Sequence, residues 1–344
     1  MSKISVLIPC HNASIWISDS VRSISAQTHK DLEILIYNDG STDGSEEIIE
    51  RLAATDPRII PLGESTNRGI VHALNTMLHK ASGDYIARMD ADDISLPQRL
   101  EKQLRFLEEQ KIDLCGTWFQ EFGGGIPRQV RWHTNPQALK AAMLFQNTIC
   151  HPTIMARREV FEQFQYRSEY NLAEDYDIFV RALSKFKLAN MPEVLLRYRR
   201  HPQQATKAKR SRMEQVTCKI RLEALQAQGI HASQDEQRIH NLIRAPRSIF
   251  EFSDLENIEQ WLLKLLAHFS DAEAKSVVAS QWTRAAVRAA PLGWSMWKKY
   301  RKSLLYAQLP HSNFSNLDIA TLAITQIDYG SRTFEALRRF GLSA

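Results

Sequence analysis

Residues 85–93 read YIARMDADD, and this stretch decides the fold. An apolar run ends there abruptly in three carboxylates, those of Asp90, Asp92 and Asp93. A short apolar run that follows a glycine and precedes a proline is typical of a buried β-strand. Because side chains alternate along a strand, we expect Asp90 and Asp92 on one side and Asp93 on the other if the extended geometry persists.

The pair Asp90 and Asp92, separated only by Ala91, is a candidate metal site. Carboxylate oxygens at the mouth of a sheet suit a hard divalent cation, Mg²⁺ or Mn²⁺, which would also hold phosphate groups. The alternative is a solvated acidic turn that caps the next helix, because aspartate is common in turns. Polar groups at the other strand ends favour the metal site.

Length and composition describe an ordinary folded protein. The chain has 344 residues, which is longer than a single hydrophobic core usually supports. Two domains are therefore expected. Lysine and arginine outnumber the acidic residues by 44 to 39, a mild excess whose placement matters more than its size.

The cysteines and the apolar runs predict a cytoplasmic protein. The 4 cysteines form no CxxC or other metal-binding spacing and indicate buried thiols of a reducing compartment. No apolar run approaches the roughly 20 residues of a membrane span. The apolar stretch at residues 4–8 is also too short for a signal peptide.

Strands alternate with helices through the first part of the chain. Apolar runs at residues 4–8, 32–37 and 59–62 predict strands, the first of them stopped by Pro9. Apolar positions with helical spacing follow each strand: Ile15, Val21 and Ile24; Ile48, Ile49 and Leu52; Val71, Leu74, Met77 and Leu78. This alternation predicts an α/β fold with a parallel sheet and helices on both faces.

Polar residues follow three of the predicted strands, at residues 9–12, 38–40 and 90–92. In parallel sheets ligands bind beyond the carboxyl ends of the strands. We therefore expect these three segments to meet at one site.

The later chain is predicted in less detail. A helix after Pro97, a strand at residues 114–122, a glycine turn and a returning hairpin strand at 130–132 are expected. Mixed strands and short helices should follow, and from about Thr206 nearly everything reads as helix. The predicted domains are residues 1–215 and 216–344.

Five segments, in chain order, resemble the family 2 glycosyltransferases, enzymes of the GT-A fold. They read SVLIPCHN, ILIYNDGSTDGS, YIARMDADD, AEDYDIF and YRRHPQQ, and they span about Ser5 to Gln204. The resemblance implies a Rossmann-like, mixed but mainly parallel sheet flanked by helices, with a helical C-terminal region. The greatest similarity is to bacterial enzymes that extend lipo-oligosaccharide or capsule, of the β-1,3-N-acetylglucosaminyltransferase kind.

The resemblance implies a nucleotide pocket at the first two strand ends. Pro9 and Asn12 would line it, and Asp39 would accept the uracil N3–H. A carboxylate there rejects cytosine, which has an acceptor at that position. His11 stands where the family commonly has an aromatic residue, and its ring would cover the base. Arg88 would reach the diphosphate or the carboxylates that support it.

The family's DxD motif corresponds to Asp90, Ala91 and Asp92. One carboxylate would hold the ribose or the donor sugar and the other the metal, with Asp92 as the direct ligand. His201 stands where similar enzymes place a histidine near the metal or the diphosphate. The cation, Mn²⁺ or Mg²⁺, would neutralise the departing nucleoside diphosphate.

Glu174 and Asp175 match the family's acidic pair at the acceptor side. Asp175 would be the general base and Glu174 its support, while Asp177 is expected to be structural. The implied reaction is an inverting transfer of GlcNAc or another hexose from a UDP-sugar. Its acceptor would be a hydroxyl of a growing surface glycan or glycolipid.

The helical end carries aromatic and basic residues that suit a membrane surface. The apolar positions are Trp294, Trp297, Leu304 and Leu305, and the basic ones Lys298, Lys299 and Lys302; an earlier basic cluster holds Lys207, Lys209, Arg210 and Arg212. An interfacial helix on the inner face of the membrane would need such a pattern. The alternative is a helix that packs its tryptophans onto the catalytic domain.

Other classes of protein fit the sequence less well. Nucleic-acid recognition would need basic strand ends, whereas these are acidic. A dehydrogenase would carry GxGxxG after the first strand, where none occurs. A nucleotidyltransferase should carry a phosphate-binding glycine loop with a basic residue, and CHNASIW lacks both. That class, and a non-catalytic nucleotide-sugar-binding protein, remain alternatives at this stage.

Overall fold

The computed structural model describes residues 2–201, 210–309 and 316–340. Within these limits the chain forms two compact units. The first unit comprises Met1–Pro136 and Gln146–Glu223, and the second comprises Gln137–Phe145 and Ala224–Ala344. The boundary proposed at residue 215 remains a prediction.

A nine-stranded sheet organises the described part of the first unit. Its strands are β1 (Ile4–Cys10), β2 (Leu32–Asp39), β3 (Ile59–Glu64), β4 (Tyr85–Arg88), β5 (Ile94–Ser95), β6 (Leu114–Phe122), β7 (Arg128–Val130), β8 (Met155–Arg157) and β9 (Leu188–Arg199). The order is β3-β2-β1-β4-β8-β6-β9-β5, and β7 pairs with β6 as the predicted hairpin.

Helices connect these strands and make up most of the described second unit. They are α1 (Ile17–Ser25), α2 (Ser45–Thr55), α3 (Ile70–Lys80), α4 (Arg99–Glu109), α5 (Pro136–Ala142), α6 (Arg158–Gln163), α7 (Glu174–Ala182), α8 (Arg210–Ala227), α9 (Gln234–Arg244), α10 (Phe252–His268), α11 (Ala272–Arg288), α12 (Gly293–Lys302), α13 (Asn316–Thr325) and α14 (Arg332–Phe340). The predicted α/β class with a helical C-terminal region is confirmed.

Strand directions bring several carboxyl ends to one edge of the sheet. Strands β1, β2, β3 and β4 run parallel to one another. Both β4 and β6 run antiparallel to β8, so β4 and β6 share a direction, and β9 is parallel to β6. The carboxyl ends of β1, β2, β4, β6 and β9 therefore lie at the same edge, where ligands bind in such sheets.

The first strand passes through Pro9 and ends at Cys10, beyond its predicted end. The carbonyl of Leu7 accepts the N–H of Met89, so the backbone polar groups of Leu7 point toward β4. Alternate residues of a parallel strand point their backbone groups at the same neighbour, so those of Pro9 also point toward β4. Strand β4 ends at Arg88, opposite Leu7. No residue of β4 therefore lies opposite Pro9, and the missing N–H of this proline costs the sheet no hydrogen bond.

The apolar face of α1 differs from the prediction at one position. Ile15 precedes the helix and is 73% exposed, whereas Ile17, Val21 and Ile24 are buried. Those three positions follow the i, i+4, i+7 spacing of one helical face.

The segment Gln137–Phe145 packs within the second unit. The Nε2 of His240 lies 2.8 Å from the carbonyl oxygen of Leu144, and the His240 ring lies 5.2 Å from that of Phe145. The Nε2 of Gln228 donates to the carbonyl of Lys140 at 2.9 Å. Backbone groups of this segment are thus satisfied by side chains that follow it by about a hundred residues of chain.

The predicted interfacial helix corresponds to α12, which ends at Lys302, so Leu304 and Leu305 lie beyond it and the apolar positions do not form one stripe. Trp294 is 51% and Leu304 is 73% exposed, whereas Leu305 is buried. Lys299 is paired with Glu259 at 2.6 Å. Among the helices described above, none is long and apolar enough to cross a membrane. Lys207 and Lys209 lie outside the described residues.

Candidate active site

Three carboxylates converge where β4 ends, because the chain turns after Arg88 instead of continuing as a strand. The N–H of Asp93 donates back to the carbonyl of Asp90 at 3.4 Å. Carboxylate oxygens of Asp90, Asp92 and Asp93 lie within 4.8 Å of one another. The expectation that Asp93 points to the opposite side is therefore wrong, since the extended geometry on which it depended ends before Asp90.

Asp93 is the fully buried member of this acidic cluster. Its Oδ1 accepts the N–H of Arg199 at 2.8 Å, and its Oδ2 has no hydrogen-bond donor in the described part of the chain. Burial raises the pKa of Asp93 well above its usual range, and the charges of Asp90 and Asp92 add to this. Such crowded oxygen ligands fit a hard divalent cation, which would offset their mutual repulsion.

Arg88 supplies buried positive charge beside the cluster. Its Nη2 forms an ion pair with Oδ1 of Asp90, and its side chain is almost completely buried. Arg99 fixes the backbone here, because its Nη2 donates to the carbonyl of Arg88 at 2.9 Å and its Nη1 to that of Pro152 at 3.0 Å. Arg88 thus contacts the carboxylates, one of the two positions that the sequence predicted for it.

His201 and Arg199 come to the same cluster from the end of β9. The Nε2 of His201 lies 2.8 Å from Oδ2 of Asp92, and the Nε of Arg199 donates to the carbonyl of Asp92 at 2.8 Å. The His201 ring also packs on Trp16, with ring centroids 4.1 Å apart. The predicted metal residues Asp90, Asp92 and His201 are therefore neighbours.

Asp39 is fixed at the end of β2 by backbone donors. Its Oδ1 accepts the N–H of Arg68 at 2.7 Å and its Oδ2 that of Gly69 at 2.9 Å, just before α3 begins. The positive end of a helix dipole favours a carboxylate there. Each carboxylate oxygen can accept a second hydrogen bond, so Asp39 can still receive an N–H from a base.

His11 and Asn12 fasten the end of β1 to the loop after β2. The Nδ1 of His11 lies 2.8 Å from the carbonyl of Asp39, so this nitrogen carries the hydrogen. Asn12 has a φ of 50°, and its side-chain oxygen accepts the N–H of Thr42 at 2.8 Å. These residues and Pro9 are the ones that the resemblance predicts to line the nucleotide pocket.

Gly40 is required for this loop to close. Its φ is +64°, and a Cβ atom there would lie 2.6 Å from the backbone nitrogen of Asn67. A larger residue would therefore displace residues 66–67, which precede the donors to Asp39.

Glu174 and Asp175 open α7 as an acidic pair. The Nδ2 of Asn147 donates to Oδ2 of Asp175 at 2.7 Å, and the N–H of Leu172 donates to Oε2 of Glu174 at 2.9 Å. Burial, together with the charge of Asp175, raises the pKa of Glu174 to about 7. Burial also raises the pKa of Asp175, although the N–H of Tyr176 and the charge of Arg88 oppose it.

Asp177, which was expected to be structural, is buried and forms ion pairs with two arginines. Its carboxylate pairs with Arg167 and with Nη2 of Arg181, the latter at 2.7 Å. Arg167 also pairs with Glu223 at 2.8 Å, so the network ties α7 to α8.

Sequence reasoning missed several residues of the site. Asn147 precedes its partner Asp175 by 28 residues. His151, which follows Cys150, lies with its Nε2 2.8 Å from the hydroxyl of Tyr166, and both are buried. Burial lowers the pKa of His151 well below its usual range, and the charge of Arg88 adds to this. No local spacing marks such contacts.

Comparison with known proteins identifies the family. Residues 5–164 match the model described as glycosyl transferase family 2. The O-antigen biosynthesis glycosyltransferase WbnJ of Escherichia coli is 30% identical over 219 residues, which are 60% of this chain and 84% of WbnJ.

Solved structures show the same fold. The S. aureus TarS fragment 1–349, in complex with UDP-GlcNAc, matches with a TM-score of 0.57 at 16% identity over 98% of this chain and 92% of that chain. The mannosyltransferase PcManGT from Pyrobaculum calidifontis, in complex with GDP-Man and Mn²⁺, matches with a TM-score of 0.54 at 19% identity, over 89% of this chain and 85% of that one. The chain is a transferase of the GT-A fold and belongs to glycosyltransferase family 2.

Proposed function

We propose that this transferase moves a sugar from a UDP-sugar to a hydroxyl of a growing surface glycan by a metal-dependent, inverting reaction. The observation that carries the proposal is the meeting of Asp90, Asp92 and His201 at the carboxyl edge of the sheet. The kind of glycan is supported by the similarity to WbnJ, which is named as an O-antigen biosynthesis glycosyltransferase. The β-1,3-N-acetylglucosaminyltransferase subtype remains a prediction.

Asp92, Asp90 and His201 would hold Mn²⁺ or Mg²⁺. Carboxylate oxygens are the ligands that these hard cations prefer, and an imidazole nitrogen also suits Mn²⁺. When bound, such a cation would neutralise charge on the departing nucleoside diphosphate. Arg88 orients the Asp90 carboxylate through their ion pair, and its charge opposes the rise in the pKa of Asp90 that burial causes.

The base of the donor would be read by Asp39. A carboxylate accepts the N3–H of uracil and repels the N3 acceptor of cytosine. Guanine also presents N–H donors, so Asp39 alone does not separate UDP from GDP. TarS was solved with a UDP-sugar and PcManGT with GDP-Man.

The proton of the acceptor hydroxyl would pass to Asp175. In an inverting displacement the hydroxyl attacks the anomeric carbon on the face opposite the diphosphate, and one carboxylate suffices as base. Asn147 and the N–H of Tyr176 orient the Asp175 carboxylate at 2.7 Å each. Glu174, with its raised pKa, would support this base.

A donor screen tests this function. Thermal shift and hydrolysis should select UDP-sugars over GDP- and CDP-sugars, and only with Mn²⁺ or Mg²⁺ present. With an α-linked donor and an accepted glycan, proton NMR of the first product should show a β-linkage. An α-linked product would exclude inversion, and selection of GDP-sugars would exclude the proposed donor.

We also propose that α12 contacts the inner face of the membrane. Trp294 is half exposed, and the exposed Lys298 and Lys302 can attract anionic lipid. Replacing both lysines by glutamate should reduce co-sedimentation with phosphatidylglycerol vesicles about tenfold or more, since each nearby cation contributes about 1 kcal/mol. The matched control replaces the exposed Lys80 and Lys219 by glutamate, which changes the net charge equally and should not reduce co-sedimentation. Wild-type protein that never sediments would disprove the contact.

A further inference from the structure

His201 differs from an ordinary metal-binding histidine in how its ring is held. Its Nε2 lies 2.8 Å from Oδ2 of Asp92, which leaves Nδ1 as the second polar atom of the ring. That Nδ1 is buried and has no hydrogen-bond partner among the residues that the structure describes. Histidines that bind metal ions usually have the other ring nitrogen fixed by a carboxylate or a carbonyl group. A different kind of contact must therefore orient the His201 ring.

Trp16 supplies that contact. The centroids of the Trp16 and His201 rings lie 4.1 Å apart, and the ring planes are inclined by 36°. Aromatic pairs are usually separated by about 4.5–7 Å, so these two rings are in close contact. The imidazole cannot rotate about its Cβ–Cγ bond without losing this packing. The indole therefore limits the directions in which Nε2 of His201 can point.

Trp16 is itself held on two sides. It immediately precedes α1, and its indole is half-buried against the hydrophobic core of the first unit. The loop that follows β2 anchors the residues just before it. The N–H of Ala13 donates to Oγ of Ser45 at 2.9 Å. The N–H of Ser14 donates to Oδ2 of Asp43, also at 2.9 Å. The indole is therefore a fixed surface on which a second ring can be oriented.

The first turn of α1 also contacts the acidic cluster. The N–H of Ser20 donates to the carbonyl of Trp16 at 3.1 Å, so the two residues are one helical turn apart on the same face. The Oγ of Ser20 donates to the carbonyl of Asp90 at 3.0 Å. One face of this turn thus contacts the backbone of Asp90 and the ring of His201, two of the proposed metal ligands.

We infer that Trp16 is a positioning residue for the metal: its indole holds the His201 ring so that Nε2 and the Asp92 carboxylate face one cation. This rests on the proposed function, because it requires His201 as a ligand. Trp16 would act through His201 and not on the reacting atoms. The alternative is an indole that only fills the hydrophobic core, and it predicts lower stability with no specific effect on metal binding.

Mn²⁺ binding in the absence of nucleotide tests the inference, so the result does not depend on sugar transfer or on the identity of the donor. Electron paramagnetic resonance measures free Mn²⁺ during a titration of the protein. Trp16→Ala should weaken Mn²⁺ binding by about tenfold or more, because loss of a contact that orients a metal-binding histidine usually costs about 10- to 100-fold in affinity. Trp16→Phe keeps a ring against the imidazole and should restore most of that affinity.

A double-mutant cycle separates positioning from a general loss of packing. In the His201→Ala background, Trp16→Ala should cause no further loss of Mn²⁺ affinity, because no imidazole is left to orient. The matched control is Phe106→Ala, which removes another half-buried aromatic ring from the same hydrophobic core, on α4. It should lower the melting temperature and leave Mn²⁺ affinity unchanged.

Failure of the positioning role can be told from failure of the proposed function. Unchanged Mn²⁺ affinity in Trp16→Ala, or an equal loss with and without His201, would overturn the positioning role. An equal loss in Phe106→Ala would also overturn it. If His201→Ala binds Mn²⁺ like the wild type, the positioning role fails, whereas the proposed metal site remains with Asp90 and Asp92. If wild-type protein binds no Mn²⁺, the proposed metal dependence fails, and the positioning role fails with it.

Discussion

Replacing Asp175 by asparagine should lower sugar transfer by about 10²- to 10⁴-fold, the usual contribution of a positioned base. The substitution keeps the shape of the side chain and an oxygen that Asn147 can still contact, but it removes the basic carboxylate. UDP affinity should barely change, because Asp39 at the end of β2 and Asp92 in the turn after β4 lie outside α7. Turnover with an acceptor, measured beside calorimetric titration of UDP, gives both quantities.

The matched comparison is Glu174→Gln, which should reduce transfer less. Adjacent helical residues point about 100° apart, so only one of the pair can face the anomeric carbon. Near-normal transfer by Asp175→Asn would move the base elsewhere, with Glu174 as the first candidate. Lost UDP binding in Asp175→Asn would mean that the pair shapes the donor site.

The pH profile of transfer gives an independent check on the pair. A base acts when ionised, and burial raises the pKa of Asp175, so transfer should rise with pH above the range usual for aspartate. The pKa of Glu174 is itself raised to about 7, so this residue is mostly protonated at lower pH and adds little negative charge beside Asp175 there. Glu174→Gln should therefore leave the rising limb close to its wild-type position.

Removing divalent metal should weaken UDP binding by about 100-fold, or about 2.7 kcal/mol. Without a cation, the diphosphate meets the carboxylates of Asp90 and Asp92, and like charges about 4 Å apart near a protein surface repel by about 4 kcal/mol. Addition of Mn²⁺ or Mg²⁺ should restore affinity. Titration of UDP in chelator and in excess metal measures the difference.

Asp92→Asn should remove most of this metal dependence, because it deletes the proposed direct ligand. Asp31→Asn is the matched control, since it removes an exposed carboxylate at the amino end of β2, away from the acidic cluster. Equal UDP affinity of wild-type protein in chelator and in Mn²⁺ would contradict the metal role. Persistent metal dependence in Asp92→Asn would move direct ligation to Asp90.

The convergence of the site could be predicted because it follows from local patterns. Continuous apolar runs identified β1, β2 and β4, and the βα alternation implied that their carboxyl ends share an edge. That pattern predicts that Asp39 and Asp90 lie at the same edge of one sheet. Membership of glycosyltransferase family 2 argues against the two alternatives, a nucleotidyltransferase and a non-catalytic nucleotide-sugar-binding protein.

The third carboxylate could not be placed from the sequence, because its position depends on a distant partner. The N–H that binds Asp93 belongs to Arg199, 106 residues later. Extending β4 past Arg88 was locally reasonable, since Met89 is apolar and buried. The turn that follows brings Asp93 against the end of β9, and no periodicity within residues 85–93 contains that information.

The path of the chain through the second unit has a consequence for how such enzymes can be recombined. Gln137–Phe145 belongs to the helical unit, so the chain enters that unit twice. In this protein the Nε2 of His240 lies 2.8 Å from the carbonyl oxygen of Leu144. A gene fusion that exchanges only residues 224–344 would place a residue from another enzyme at position 240, against the original Leu144 carbonyl. Productive exchange therefore requires three crossovers, one at each end of Gln137–Phe145 and one before residue 224. Substitutions on the early segment and in the late helices should arise together during divergence.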